Sequence, residues 1–296
     1  MTSSNDRADR LSGLFNITVT PFSADGAIDG AAFADAIERV IAQGFDGLLI
    51  GGTYGEFATM DTAERADLFR RAVEVAAGRV PLLLCTADSD PRVVRELTAL
   101  AEDLGEVPMV MPPYVSEVND DHIVAFFEEM SKISRSIMIY NAPGVGITLS
   151  PALIERLAGV KGVIAMKQGA LHPLVVDDIL GRVKGRLKLF CASDLQMLGP
   201  IAAGFDGVSS TNSCAFPELI HAIYHELAEG NAKKAGAMQH SWQEYRAFAL
   251  KKGQPQTTKA AMTLRGWVGG HVRAPLLDLG AADREALGAI VKRLGY

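Results

Sequence analysis

The chain has 296 residues, 48% of them hydrophobic and 22% charged, enough for a large core inside an ordinary globular surface. Its 29 lysines and arginines against 35 aspartates and glutamates leave a formal charge of −6 with no basic stripe, which speaks against a nucleic-acid partner. No apolar run reaches the roughly 18 residues of a membrane span, and Met1 to Arg7 is polar where a secretory leader needs an apolar segment, so a cytoplasmic protein without membrane contact is expected.

Strands and helices alternate along the chain. Leu14 to Thr20 reads as a β-branched strand stopped by Pro21, and Asp29 caps a helix through Ala42. Gly47 to Ile50 is the second strand and runs into Gly51-Gly52. Asp61-Thr62-Ala63-Glu64 is a capping box for the next helix. Val80 to Cys85 is the third strand, followed by a helix opened by Asp90-Pro91. Val107 to Met111, Ile137 to Tyr140 and Gly162 to Lys167 are the fourth, fifth and sixth strands, with helices over Asn119 to Lys132 and from Ser150 to Leu157. A helix around Leu174 to Val183 leads to the seventh strand, Leu187 to Cys191, and a short helix from Met197 to the eighth, Asp206 to Ser209. Helices over Pro217 to Glu229, Asn231 to Leu250, Gln256 to Trp267 and Ala282 to Leu294 follow.

Parallel strands need helical crossovers, and eight βα units are the number that closes a (β/α)8 TIM barrel. The competing doubly wound sheet carries a G-x-G-x-x-G turn after its first strand, and none follows Thr20. The expected organisation is therefore an α/β barrel over 1–229 and a C-terminal helical extension over 230–296. Cys85, Cys191 and Cys214 form no C-x-x-C pair and are expected to be buried, reduced thiols. Asn16-Ile17-Thr18 fits a glycosylation sequon but lies within an apolar run and is discounted.

In such a barrel, function sits at the C-terminal ends of the strands. The sixth strand, Gly162-Val163-Ile164-Ala165-Met166-Lys167, ends its apolar run on a lysine. Desolvation lowers an ammonium's pKa, and a neutral amine attacks a carbonyl to form a Schiff base; the competing reading is a snorkelling surface cation. Tyr140 ends the fifth strand, 27 residues earlier, so a phenol is expected beside the amine. Gly51-Gly52-Thr53 offers backbone N–H groups and a hydroxyl to a small anion, or simply makes a tight turn. His172 and His271 are isolated, so no metal site is expected. The basic residues Lys251, Lys252 and Lys259 read as a solvated helix end.

Taken together, Val19-Thr20-Pro21-Phe22, Gly52-Thr53-Tyr54-Gly55-Glu56, Tyr140-Asn141-Ala142-Pro143, Lys167 and Gly207-Val208-Ser209-Ser210 resemble the dihydrodipicolinate synthase / N-acetylneuraminate lyase family of Schiff-base aldolases over nearly the whole chain. The resemblance implies a (β/α)8 barrel with a helical tail, a homo-oligomer (tetramer or dimer), and a small 2-keto acid as partner. It implies an imine on Lys167, proton transfer by Tyr140, and a carboxylate held by Thr53 with the backbone of Gly52 and Tyr54. Ser209 would line the pocket, and no cofactor beyond the covalent imine is called for.

Three positions depart from the pattern of the lysine-pathway synthase. Val145 stands where that enzyme has a carboxylate-gripping arginine, Val115 follows Pro113-Tyr114 in place of a relay tyrosine, and Tyr54 replaces a threonine. Valine cannot pair a carboxylate. Ser193, Asp194, Ser209, Thr211 and Asn212 instead offer a hydroxyl- and amide-rich rim suited to a 2-keto-3-deoxy sugar acid. The alternatives are dihydrodipicolinate synthesis itself and a barrel that binds a keto acid without turning it over.

Overall fold

A computed structural model describes residues 4–296. Helix α1 (Ser4–Asp9) precedes strand β1 (Gly13–Ile17), and from there strand and helix alternate: α2 (Gly30–Ala42), β2 (Gly47–Ile50), α3 (Thr62–Ala76), β3 (Leu82–Cys85), α4 (Pro91–Asp103) and β4 (Val107–Val110). Next come α5 (Asp120–Ser131), β5 (Ile137–Asn141), α6 (Pro151–Leu157), β6 (Val163–Gln168), α7 (Pro173–Val183), β7 (Lys188–Cys191), α8 (Leu198–Ala203), β8 (Gly207–Ser210) and α9 (Pro217–Ala228). The strands pair in sequence order, all parallel, and β8 returns to β1 to close a TIM barrel. Helices α10 (Ala232–Ser241), α11 (Gln243–Lys252), α12 (Gln254–Leu264) and α13 (Ala281–Arg293) follow it. Among the described residues, no helix is long and apolar enough to cross a membrane.

The predicted start signals act as expected. The Asp29 side chain accepts the Ala32 N–H at the start of α2, Asp61 and Glu64 form a reciprocal capping box on α3, and Pro91 occupies the first turn of α4. One expected helix is two: the run from Asn231 to Leu250 breaks at Trp242. The break buries Trp242 completely, stacks it on Tyr245 at 5.9 Å and lets its indole N–H donate to Gln239 at 3.2 Å. Burying so large a ring outweighs the helical hydrogen bonds lost there.

Strand alternation sorts the core into two layers. Leu48, Ile50, Leu82, Leu84, Ile139 and Met166 face the helices, while Leu49, Leu83, Cys85, Met138, Tyr140, Ala165 and Phe190 fill the barrel interior. Lys167 lies two residues beyond Ala165 and Tyr140 two beyond Met138, so both side chains aim inward at the C-terminal mouth.

Below them, Phe15 and Phe190 meet edge to face, centroids 4.9 Å apart at 82°, with neither ring exposed. Such a contact adds about 0.5–1.5 kcal/mol to the burial itself. Glycine makes room for it: a Cβ on Gly47 would stand 2.2 Å from the Phe15 ring, and one on Gly207 2.6 Å from Phe190. The three cysteines are free and buried. Asn16 is also fully buried, bonded to Ser213 at 2.7 Å, as a residue discounted for glycosylation should be.

Candidate active site

The site is assembled from the ends of β2, β5, β6 and β7. Tyr140 and Lys167 are direct partners in the β5–β6 register. The Lys167 Nζ sits 4.4 Å from the centre of the Tyr140 ring. Only 4% of Lys167 and 3% of Tyr140 are exposed, so this lysine does not snorkel into solvent. Among the described residues no carboxylate forms an ion pair with it. Burial in the absence of such a partner lowers its pKa from 10.5 to about 8. The same desolvation pushes the Tyr140 phenol well above its usual range.

Beyond β2 the chain makes a single 3-10 turn, Thr53–Gly55. It brings the Thr53 hydroxyl to 2.7 Å from the Tyr140 hydroxyl, so one donates to the other. Burial, reinforced by the Asp194 carboxylate, raises the Tyr54 phenol. The result is a connected path of exchangeable protons from Thr53 to Tyr140, with the Lys167 amine against the ring face.

These groups open onto a cavity of about 140 Å³. Its polar wall is Thr53, Tyr54, Tyr140, Lys167 and Ser193, and its apolar wall is Ala142, Pro143, Val145 and Ala192. At roughly 30 Å³ of liquid volume per water, the space equals about four or five waters. A larger cleft of about 430 Å³ lies among the C-terminal helices, but it gathers no amine beside a phenol; its Lys259 is already bonded to Glu56.

Several expected rim residues do not reach the cavity. Asp194 is 1% exposed, its carboxylate taken up by the Ser210 hydroxyl, the Asn212 amide at 2.9 Å and the Asn212 backbone N–H at 3.1 Å. Ser209 is buried and donates to the Cys191 carbonyl at 3.3 Å. Thr211 is buried with its hydroxyl unpaired, and Gly52 stands behind the turn that Thr53 begins. Of the hydroxyl-rich set, Ser193 alone lines the cavity.

Lys259 corrects a second expectation. It is not solvated at a helix end; its side chain is 1% exposed and ion-paired with Glu56. Gln254 was overlooked as well, and its amide reaches the Tyr54 hydroxyl at 3.4 Å. A lysine within the stripe Pro255, Thr258, Ala261 and Met262, at helical spacing, is the sequence signal that would have placed Lys259 on a buried face.

A closed parallel barrel with a desolvated amine, a phenol and a threonine at its C-terminal mouth is the architecture of the lysine-dependent, aldolase-type lyases. The profile of the dihydrodipicolinate synthetase family matches residues 10–294. The chain is 32% identical over 292 residues to the 4-hydroxy-tetrahydrodipicolinate synthase of Sorangium cellulosum, covering 96% of each protein. It is 28% identical to an uncharacterized DapA-like lyase of Rhizobium meliloti, with 95% of each covered. The Escherichia coli K12 prophage protein YagE, solved in complex with pyruvate, superposes with a TM-score of 0.89 at 25% identity over 96% of this chain and 99% of its own. The chain belongs to the dihydrodipicolinate synthetase family.

Proposed function

We propose that the protein is a Schiff-base lyase acting on a 2-keto acid with an uncharged, hydroxylated tail, such as a 2-keto-3-deoxy sugar acid. The observation that carries the reading is the buried Lys167 amine, its pKa about 8, against the Tyr140 ring at the cavity wall. The neutral amine adds to the keto carbon and water leaves. The resulting protonated imine withdraws electrons from the neighbouring carbon, so that the next bond breaks by retro-aldol cleavage or by loss of water. The Tyr140 hydroxyl, bonded to Thr53, carries the proton to and from the reacting oxygen. The hydroxyl of Thr53 and the backbone of the turn that follows Gly52 hold the substrate carboxylate.

Val145 on the cavity wall argues against dihydrodipicolinate synthesis, because a second carboxylate on the aldehyde would meet no guanidinium there. Tyr54 and Ser193 supply hydroxyl partners instead. Asp194 and Ser209 are bonded instead to Ser210 and Asn212 and to the Cys191 carbonyl, and neither they nor Thr211 line the cavity. We read the protein as a homo-oligomer, dimer or tetramer, on its membership of the family.

Borohydride added with pyruvate, and then with a panel of 2-keto-3-deoxy acids, tests the chemistry. An adduct on Lys167 in intact-mass and peptide spectra, with pyruvate or a dehydrated keto acid released from a panel member, is the expected result. No adduct, or an adduct on another lysine, rejects it. Rapid turnover of aspartate semialdehyde with pyruvate, and of no sugar acid, would reject the substrate and retain the imine.

A further inference from the structure

Glu56 closes the turn that carries Thr53 and Tyr54, and it does so in a costly conformation. Its φ is 61°, in the left-handed region where a residue with a side chain is held only by its surroundings. Both carboxylate oxygens are engaged from beyond the barrel. One accepts from the Lys259 ammonium, the other from the Arg273 backbone N–H at 3.0 Å. Lys259 also donates to the His271 carbonyl at 2.7 Å. Each side chain of the ion pair is 1% exposed.

A buried pair of this kind is weak evidence for stability, since desolvating two ions offsets most of their attraction, whereas leaving one partner alone is severe. What it supplies is a fixed geometry. There is little slack in the seat: a Cβ on Gly269 would stand 2.0 Å from the Lys259 carbonyl oxygen.

The turn is held at a second point. The Gln254 amide nitrogen donates to the Tyr54 hydroxyl at 3.4 Å, and its carbonyl oxygen accepts from the Asn212 amide, also at 3.4 Å. Asn212 in turn is bonded to Asp194, the neighbour of Ser193 on the opposite wall. Gln254 and Lys259 both belong to α12, which contributes nothing to the barrel itself.

We propose that Lys259 and Gln254 are positioning residues for the 2-keto acid site, acting from the C-terminal helices through Glu56 and Tyr54. They hold the Thr53–Gly55 turn where the Thr53 hydroxyl meets Tyr140 and where the turn receives the substrate carboxylate. This rests on the imine reading above. If Lys259 loses its charge, the Glu56 carboxylate is left buried and half-paired, and it relaxes by admitting water or by releasing the left-handed backbone. Either movement displaces Thr53, two peptide units from Gly55, while Lys167 on β6 keeps its place.

Borohydride trapping of pyruvate is measured against pyruvate concentration in wild type, Lys259→Met, Glu56→Gln, the double variant, Lys259→Arg and Gln254→Ala. Measurements are made at a temperature at which circular dichroism shows each chain folded. For Lys259→Met the half-saturating pyruvate concentration should rise at least about tenfold, with trapping still complete at saturation. The double variant should be no worse than the poorer single, because the two changes break one interaction. Lys259→Arg should return the value to within about threefold of wild type, and Gln254→Ala should raise it about threefold or more.

A folded Lys259→Met chain that half-saturates within about twofold of wild type would overturn the proposal, as would fully multiplicative effects in the double variant. Were Lys259→Met not to fold, Gln254→Ala decides, and a wild-type value there overturns it. A wild-type protein that traps no pyruvate rejects the imine reading itself; a wild type that traps normally beside equally competent variants rejects only the positioning role.

Discussion

Imine formation by Lys167 should follow the titration of a desolvated amine. An ordinary lysine side chain, with a pKa of 10.5, is about 0.1% neutral at pH 7.5, whereas one lowered to about 8 is about 24% neutral. Burial thus multiplies the reactive species about 240-fold, equivalent to about 3 kcal/mol at about 1.36 kcal/mol per pKa unit. The initial rate of cyanoborohydride-trapped adduct at subsaturating pyruvate should climb about tenfold per pH unit from about pH 6, bend near pH 8 and level off above about pH 9. The adduct is counted by intact mass, and circular dichroism at each pH controls for unfolding. A rate still rising tenfold per unit beyond about pH 9.5 would mean a solvated amine of ordinary basicity. A flat profile would mean that Lys167 is not the group whose protonation limits the reaction.

The same shift makes a stability prediction of opposite flavour to the usual ion pair. Between about pH 8 and pH 10.5 the unfolded chain holds the Lys167 proton and the folded chain has lost it, so stability rises with pH through that window and the full penalty applies below it. Lys167→Met should therefore stabilise the fold against urea by about 1–3 kcal/mol at pH 7, with the gain fading towards about pH 10.5; a destabilised variant at pH 7 would contradict the cause assigned to the shift. Val145→Arg should raise kcat/KM for a carboxylate-bearing aldehyde at least about tenfold and lower it for a hydroxylated keto acid, since a guanidinium would then face the cavity. No gain with any carboxylated aldehyde would show that the Val145 position does not govern the choice.

The barrel was legible because its signals are local: eight short apolar runs, caps at Asp29, Asp61 and Asp90, and a lysine ending the sixth run. Alternation along β5 and β6 then aims Tyr140 and Lys167 to the same side without further information. What escaped the sequence depends on partners far along the chain. Lys259 is buried because Glu56 receives it across 203 residues. Asp194 stands at a strand end, where a substrate contact was expected, yet its oxygens are consumed by Ser210 and Asn212. The helix break at Trp242 has no glycine or proline to announce it; the ring's place in the core decides it. Position at the barrel mouth can be read from the sequence, but which side chains there remain unclaimed by their neighbours cannot.

The Phe15–Phe190 contact has a kinetic consequence. With two interlocked rings packed in the barrel core beneath Lys167, reactants and products should pass by the C-terminal mouth, and whatever is tethered to the lysine should lie deepest. Under the proposed retro-aldol mechanism, a fragment cleaved from the tail of the keto acid would be nearer the exit than the enamine left behind, so it would depart first, and only then would water reach the remaining adduct. Traffic through this barrel is last in, first out. The pyruvyl fragment should therefore act as a competitor of the incoming keto acid, while the departing aldehyde should inhibit by re-entering above an occupied lysine.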